Sequence, residues 1–190
     1  LVTTIFEDAG LPPFACPAVP FAVIVMGVSG CGKSTLGALV AEALCCPFLE
    51  GDDYHSREAI EKMRGGEPLR DEDRWPWIER LGEATAGAVA EHGMAVTACS
   101  ALRRCHRDQL RAKIGGPVHL ILLENNRARL IERLTARAGH FMPIGLLDSQ
   151  LATLERPLAD EDALALVTEE PANRLRDLVL ARLVDRQRTT

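Results

Sequence analysis

The chain has 190 residues, 47% hydrophobic and 26% charged, an ordinary globular balance long enough to enclose a sizeable core. A net charge of −5 without a long basic run excludes the basic face expected of a nucleic-acid scaffold. Aromatic residues are only 4%, which predicts an aliphatic core, and the six cysteines contain no C-x-x-C pair, so neither a zinc site nor a redox motif is indicated; buried free thiols are expected.

Residues 1–20 read as an irregular N-terminal extension and 21–190 as one domain. The apolar run over 11–28 contains Pro12, Pro13, Pro17 and Pro20, which would break a membrane-spanning helix. No basic residue precedes Lys33, whereas a secretory leader needs a basic start. A cytoplasmic protein with no membrane association is therefore expected.

In chain order, the apolar stretch 21–27 predicts a buried strand. It runs into Gly27-Val28-Ser29-Gly30-Cys31-Gly32-Lys33-Ser34-Thr35, which fits G-x-x-x-x-G-K-[ST]. Leu36, Leu39, Val40, Ala43 and Leu44 follow at helical spacing, predicting a helix over 33–45. A strand, a glycine-rich turn and a helix in that order form a phosphate-binding loop. The glycines let several backbone N–H groups converge on one anion, and the helix N-terminus adds partial positive charge. Lys33 would reach the outer phosphates and Ser34 would ligate Mg²⁺.

A short strand at 47–50 leads to the acidic turn Gly51-Asp52-Asp53-Tyr54-His55, and Ser56 caps a helix over 57–64. A longer helix is predicted over 71–92, with Pro76 in its first turn. A strand at 95–99, a helix at 103–113 and the aliphatic strand 118–123 follow. A helix at 125–137 precedes a glycine-containing loop at 138–142, and a further helix from Pro143 reaches about residue 155. A strand at 164–168 and a helix at 171–186 complete the chain. This alternation predicts an α/β fold, a three-layer, doubly wound parallel sheet of five strands, with the ligand at the strands' carboxyl ends.

Such a loop binds a nucleoside triphosphate. The chain lacks the D-x-x-G and N-K-x-D pair of switch GTPases and the L-S-G-G-Q type of signature of transport ATPases, which favours a compact metabolite kinase. A kinase needs a carboxylate near the acceptor hydroxyl and cations around the transferred group. Glu50, Asp52 and Asp53 supply the first, one orienting the hydroxyl while another holds the metal. His55 is a candidate donor to a hydroxylated substrate or a helix cap, and Arg70, Asp71, Asp73 and Arg74 are candidates to line an acceptor pocket. Trp75 and Trp77 read as packing residues. Arg103, Arg107 and Arg111 fall on one helix face, as do Arg129, Arg133 and Arg137, spacings usual for solvated faces. Arg137 stands out because Gly139-His140-Phe141-Met142 follows it, a candidate lid near 137–143 that would exclude water and bring positive charge onto the phosphates.

Together these blocks resemble the gluconokinases. The resemblance rests on Gly27–Thr35, Gly51–His55, Pro68-Leu69-Arg70-Asp71-Glu72-Asp73-Arg74-Trp75-Pro76-Trp77, Cys99-Ser100-Ala101-Leu102, Gly139–Met142 and Leu147–Glu155, in that order over about 21–185. It implies a fold similar to the shikimate and nucleoside monophosphate kinases. It also implies transfer of the ATP γ-phosphoryl group to the 6-hydroxyl of D-gluconate with Mg²⁺, and often a homodimer. By similarity to shikimate kinases, Asp52 aligns with the acceptor-contacting aspartate and Glu50 with a metal-proximal one, with Asp53 the fallback to Asp52. Arg74, Arg103 and Arg107 become candidates for the gluconate carboxylate and hydroxyls, joined by His55 and His140, and Arg133 and Arg137 the cations on ATP. The chain departs from the family pattern at Cys31, Ser56, Ala59, Arg103, Cys105 and His106. Most of these changes lie on the acceptor side, so a kinase for another small hydroxy acid, shikimate-like, stays open, as does a regulatory P-loop ATPase.

Overall fold

The structure, a computed structural model, describes residue 17, residues 19–136 and residues 144–189. β1 (Phe21–Met26) leads into α1 (Lys33–Leu44), and β2 (Phe48–Glu50) into a 3-10 turn (Gly51–Tyr54) and α2 (Arg57–Arg64). α3 (Asp71–His92), β3 (Met94–Cys99), α4 (Arg104–Ile114), β4 (Val118–Glu124) and α5 (Arg127–Ala136) follow. α6 (Ile144–Thr153), a second 3-10 turn (Ala159–Glu161), β5 (Leu164–Val167) and α7 (Ala172–Thr189) end the chain. The five strands lie in the order β2-β3-β1-β4-β5, all parallel.

β1 sits in the middle of the sheet with all six residues buried. Alternate side chains point to opposite faces of a strand. Phe21, Val23 and Val25 therefore pack in one layer with Leu36 and Val40 of α1 and Val179, Leu180 and Leu183 of α7. Ala22, Ile24 and Met26 pack in the other with Trp77, Ile78 and Leu81 of α3 and Leu110 of α4. Each fully buried Val or Ile contributes roughly 1.5–3 kcal/mol from the water it leaves. The chain leaves β1 through α1 on one face and β3 through α4 on the other. A crevice thus opens at the carboxyl ends of β1 and β3, where such sheets bind ligands. The amide of Gly27 donates to the carbonyl of Ser100 at 3.3 Å and closes the floor of that crevice.

The predicted elements are present, with shifted ends. α3 begins at Asp71, so Pro76 lies in its second turn, not its first, and withholds the N–H that the Glu72 carbonyl would otherwise accept. Its start is held instead by Asp73, whose carboxylate accepts from the Arg70 amide at 3.0 Å and from Lys62 of α2 at 2.5 Å. α5 begins at Arg127 because the Asn126 side chain caps it, accepting from the Arg129 amide at 2.9 Å. Ser56 caps α2 as expected, accepting from the Ala59 amide at 3.2 Å. Two sequence expectations are corrected by burial. Cys45 and Cys105 are exposed, so the thiols are not uniformly buried. The row Arg103, Arg107, Arg111 is not a solvated face.

Arg107 is buried to 1% exposure in α4. Its Nε and Nη2 donate to the two carboxylate oxygens of Glu161 at 2.6 and 2.8 Å, and Nη1 donates to the carbonyls of Ala101, Leu102 and Glu155. Arg111 adds a bond to the Glu161 carbonyl at 2.9 Å. The Arg107 bonds hold the Glu161 carboxyl at about 2, outweighing the desolvation that acts the other way. The guanidinium thus ties α4 to the turns before β5 through Glu155 and Glu161, and to the loop before α4 through Ala101 and Leu102. Its expected role as a gluconate ligand is therefore replaced by a structural one. A carboxyl with a lowered pKa stabilises the fold above its unfolded value and loses that contribution as pH falls from about 4.5 to 2, on the order of 3 kcal/mol here. Glu161→Gln should flatten this part of the acid-unfolding profile, measured by urea denaturation at successive pH values. Arg107→Ala, which strands the buried carboxylate, should cost about 3–5 kcal/mol at pH 7.

Candidate active site

The phosphate loop is shaped by close approach. Gly27 has φ +141°, and a Cβ there would stand 2.6 Å from the Leu123 carbonyl oxygen, so no side chain fits. Gly32, with φ +100°, caps α1 and turns its first amides toward the loop. The Lys33 ammonium folds back to donate to the Val28 carbonyl at 3.1 Å. Curled amides, a helix N-terminus and a lysine in one place fit a polyphosphate.

The loop divides two pockets. On one side a pocket of about 370 Å³ is lined by Gly30, Cys31, Gly32 and Thr35, with Arg133 of α5 and Thr168 and Glu170 after β5. Arg133 donates to the Thr168 carbonyl at 2.7 Å and to its hydroxyl at 3.2 Å, which holds the guanidinium beside the loop. On the other side a pocket of about 380 Å³ brings together Ser29 and Lys33 of the loop, Asp52 and His55 of the acidic turn, and Arg74 of α3. Its volume lies within the roughly 300–1,000 Å³ typical of small-molecule sites. Ile60, Met63 and Arg64 of α2, Leu69, Trp77, Ser100 and Leu102 line it further. Glu67 and Pro68 after α2, and Leu146, Ser149 and Gln150 of α6, complete the lining.

The acidic turn is aimed by packing. A Cβ at Gly51 would lie 2.5 Å from the Ala98 carbonyl oxygen, so the turn presses directly on β3. Trp77 donates its Nε1 to the Gly51 carbonyl at 2.7 Å, and Arg80 donates twice to the Tyr54 carbonyl. The buried Cys99 thiol reports what converges there. Burial pushes it up to about 12, Lys33 pulls it down, and Asp52 and Glu50 push it up. The loop lysine and both carboxylates thus act on one point at the end of β3.

His55 stacks on Trp77, with ring centroids 4.4 Å apart and planes at 11°. Burial pushes its imidazole down to about 4, with the Asp52 carboxylate pulling up and Arg80 and Arg74 pushing down. Its Nδ1 is buried without a hydrogen-bond partner among the described residues and lies in a residue that lines the pocket. A neutral imidazole both donates and accepts, which suits a hydroxyl ligand.

Of the remaining candidates, Gly27 and Val28 form the loop base, and Ser34 lies in the first turn of α1. Asp53 is exposed and is not among the residues lining either pocket. Arg103 sits outside the acceptor pocket, paired with Asp71 and, at 3.3 Å, with Glu155. Arg137 and His140 lie outside the described residues, as does the expected lid. Asp71, Cys105 and His106 bring one ligand atom each within 4.8 Å of one another. Arg74 and Arg103 pair with that same carboxylate, so its charge is already met. Sequence reasoning missed the α2 wall, whose Ile60 and Met63 carry the i, i+3 spacing of one helix face, and it left Trp77 as packing alone. It also gave no role to Gln150 or Thr168, whose partners are distant in sequence.

A family model described as an AAA domain matches residues 23–157. The thermosensitive gluconokinase of Escherichia coli K12 is 46% identical over 139 residues, 73% of each chain. The chain belongs to the gluconokinase family. The gluconokinase of Gluconobacter oxydans 621H is 42% identical, over 87% of this chain and 90% of that one. The crystal structure of a gluconokinase from Sinorhizobium meliloti 1021 superimposes with a TM-score of 0.77 at 42% identity, covering 88% of this chain and 95% of that one. A shikimate kinase from Acinetobacter baumannii shares the fold, with a TM-score of 0.57 at 17% identity over 92% of this chain and 98% of that one. This gluconokinase-family chain therefore has the expected P-loop kinase architecture. No described helix is long and apolar enough to cross a membrane.

A His55 pKa below its unfolded value means that the native state favours the neutral ring. Stability should fall as pH drops from about 6.5 towards 4. NMR titration should find the His55 ring neutral throughout pH 5.5–8, its midpoint near 4, identified by the resonance lost in His55→Gln.

Proposed function

We propose that this gluconokinase-family chain transfers the γ-phosphoryl group of ATP to the 6-hydroxyl of D-gluconate, giving 6-phospho-D-gluconate and ADP. The observation that carries the reading is one pocket holding both Lys33 of the phosphate loop and Asp52 of the acidic turn. Asp52 accepts a hydrogen bond from the acceptor hydroxyl and takes its proton as the new bond to phosphorus forms. Lys33 and the loop amides of Gly30, Cys31 and Gly32 hold the charge on the phosphates. Arg133, fixed beside the loop by Thr168, adds a cation on the nucleotide side. Arg74 and His55 receive the sugar acid, the first through its carboxylate and the second through a hydroxyl.

Ser34 and Glu50 would hold Mg²⁺, whose positive charge shields the terminal phosphates when bound. Ser34 in the first turn of α1 and Glu50 as the last residue of β2 both lie at the ligand-binding end of the sheet, which supports that assignment. Arg137, four residues after Arg133 in the sequence, and His140 belong to the same reading as closing contacts over the phosphates and acceptor. So do a homodimer and a cytoplasmic setting, where the exposed Cys45 and Cys105 would stay reduced.

A coupled assay over a panel of sugar acids tests this. ADP release should depend on gluconate, vanish in Lys33→Ala and fall by about 10²–10⁴-fold in Asp52→Asn. Equal ADP release without acceptor would make the protein an ATPase. Preference for shikimate or another hydroxy acid would overturn the substrate.

A further inference from the structure

Ser29 contributes to the acceptor pocket, whereas Gly30, Cys31, Gly32 and Thr35 line the nucleotide side. The Ser29 amide, bonded to Gln150 of the same lining, is thus a backbone donor of the loop on the acceptor side, beside the Lys33 side chain. In a kinase the phosphoryl group facing the acceptor is the terminal one. That amide already donates a hydrogen bond, at 2.7 Å, to the Oε1 atom of Gln150 on α6, 121 residues away. The same helix supplies Leu146 and Ser149 to the acceptor pocket, and Leu147, between them, is fully buried in the core.

We propose that Gln150 is a positioning residue for phosphoryl transfer. Its carbonyl oxygen keeps the Ser29 N–H aimed at the seat of the terminal phosphoryl and yields that donor when ATP binds. A charged phosphoryl oxygen makes the stronger bond, roughly twice that of a neutral amide oxygen, so the exchange runs in favour of the nucleotide. ADP has no group at this seat and leaves the Gln150–Ser29 bond intact. The α6 wall of the acceptor pocket is therefore tied to the loop in the ADP state and released in the ATP state. An amide suits this task and a carboxylate does not, because a fixed negative charge on the Ser29 amide would repel the incoming phosphoryl group. The inference rests on the kinase reading of the site and is independent of which acid is the acceptor.

Calorimetry with ADP and with the β,γ-imido analogue of ATP, both without acceptor, tests it in the full-length protein. Gln150→Glu should weaken the ATP analogue at least tenfold and ADP less than threefold. Equal weakening of both nucleotides, or of neither, would overturn the proposal. Gln150→Met keeps the volume and removes the acceptor oxygen. With the acceptor that supports wild-type turnover, it should lower kcat at least tenfold while KM for ATP stays within threefold. Wild-type kcat in Gln150→Met would equally sink it. Absence of gluconate-dependent turnover in the wild type would instead strike the substrate reading and leave the binding result standing.

Discussion

Backbone pressed against backbone governs this molecule. The turn after β1 approaches the Leu123 carbonyl so closely that Gly27 has no room for a Cβ, and the acidic turn after β2 approaches Ala98 in the same way. Both contacts sit at the carboxyl ends of parallel strands, where the sheet's twist and the change in winding direction leave a crevice. A loop seated that tightly has its amides aimed before any ligand arrives, so little reorganisation opposes anion binding. Trp77 and Arg80 of α3 then fix the acidic turn from behind through the Gly51 and Tyr54 carbonyls. The phosphate side and the acceptor side are two edges of one packed floor.

Arginine is the most versatile residue in this chain, and partners decide its use. Arg107 is buried with Glu161 as a bidentate pair, the geometry in which guanidinium and carboxylate match best. Arg133 lies beside the loop and is held by Thr168 through one carbonyl and one hydroxyl, which leaves its charge uncancelled by any carboxylate in those contacts. Arg74 lines the acceptor pocket while resting on Asp71 at 3.4 Å. Asp71 also takes Arg103 and His106, so one carboxylate orders the charged rim of the pocket. Arg103, Cys105 and His106 all lie at this carboxylate, outside the residues that line the acceptor pocket.

The helical order of the acceptor pocket comes from three separate segments. α2 provides an aliphatic wall, α3 the indole and guanidinium, and α6 the glutamine bonded to the loop. His55 stacked on Trp77 gives the pocket a flat, neutral surface next to charged groups, a combination suited to a ligand with both hydroxyls and a carboxylate. The chain's place in the gluconokinase family agrees with that chemistry.

Much of this was legible in the sequence because its causes are local. A buried parallel strand reads as an aliphatic run, a phosphate loop as glycines ahead of Lys33, and a helix start as Ser56. These features depend on neighbours a few residues away, whereas the pairing of the acidic turn with that loop followed from the parallel winding of the sheet. What the sequence could not show was how side chains far apart along the chain meet. Arg107 sits at the spacing of a solvated face, yet Glu161, 54 residues on, draws it into the interior. Gln150 looks like any polar helix residue until folding sets it against Ser29. Local periodicity and turn chemistry determined the strands, the helices and the kind of ligand. Only tertiary packing decided which charges are consumed by the fold and which remain for the substrate, because burial and long-range partners set the use of a charge and neither is encoded in spacing.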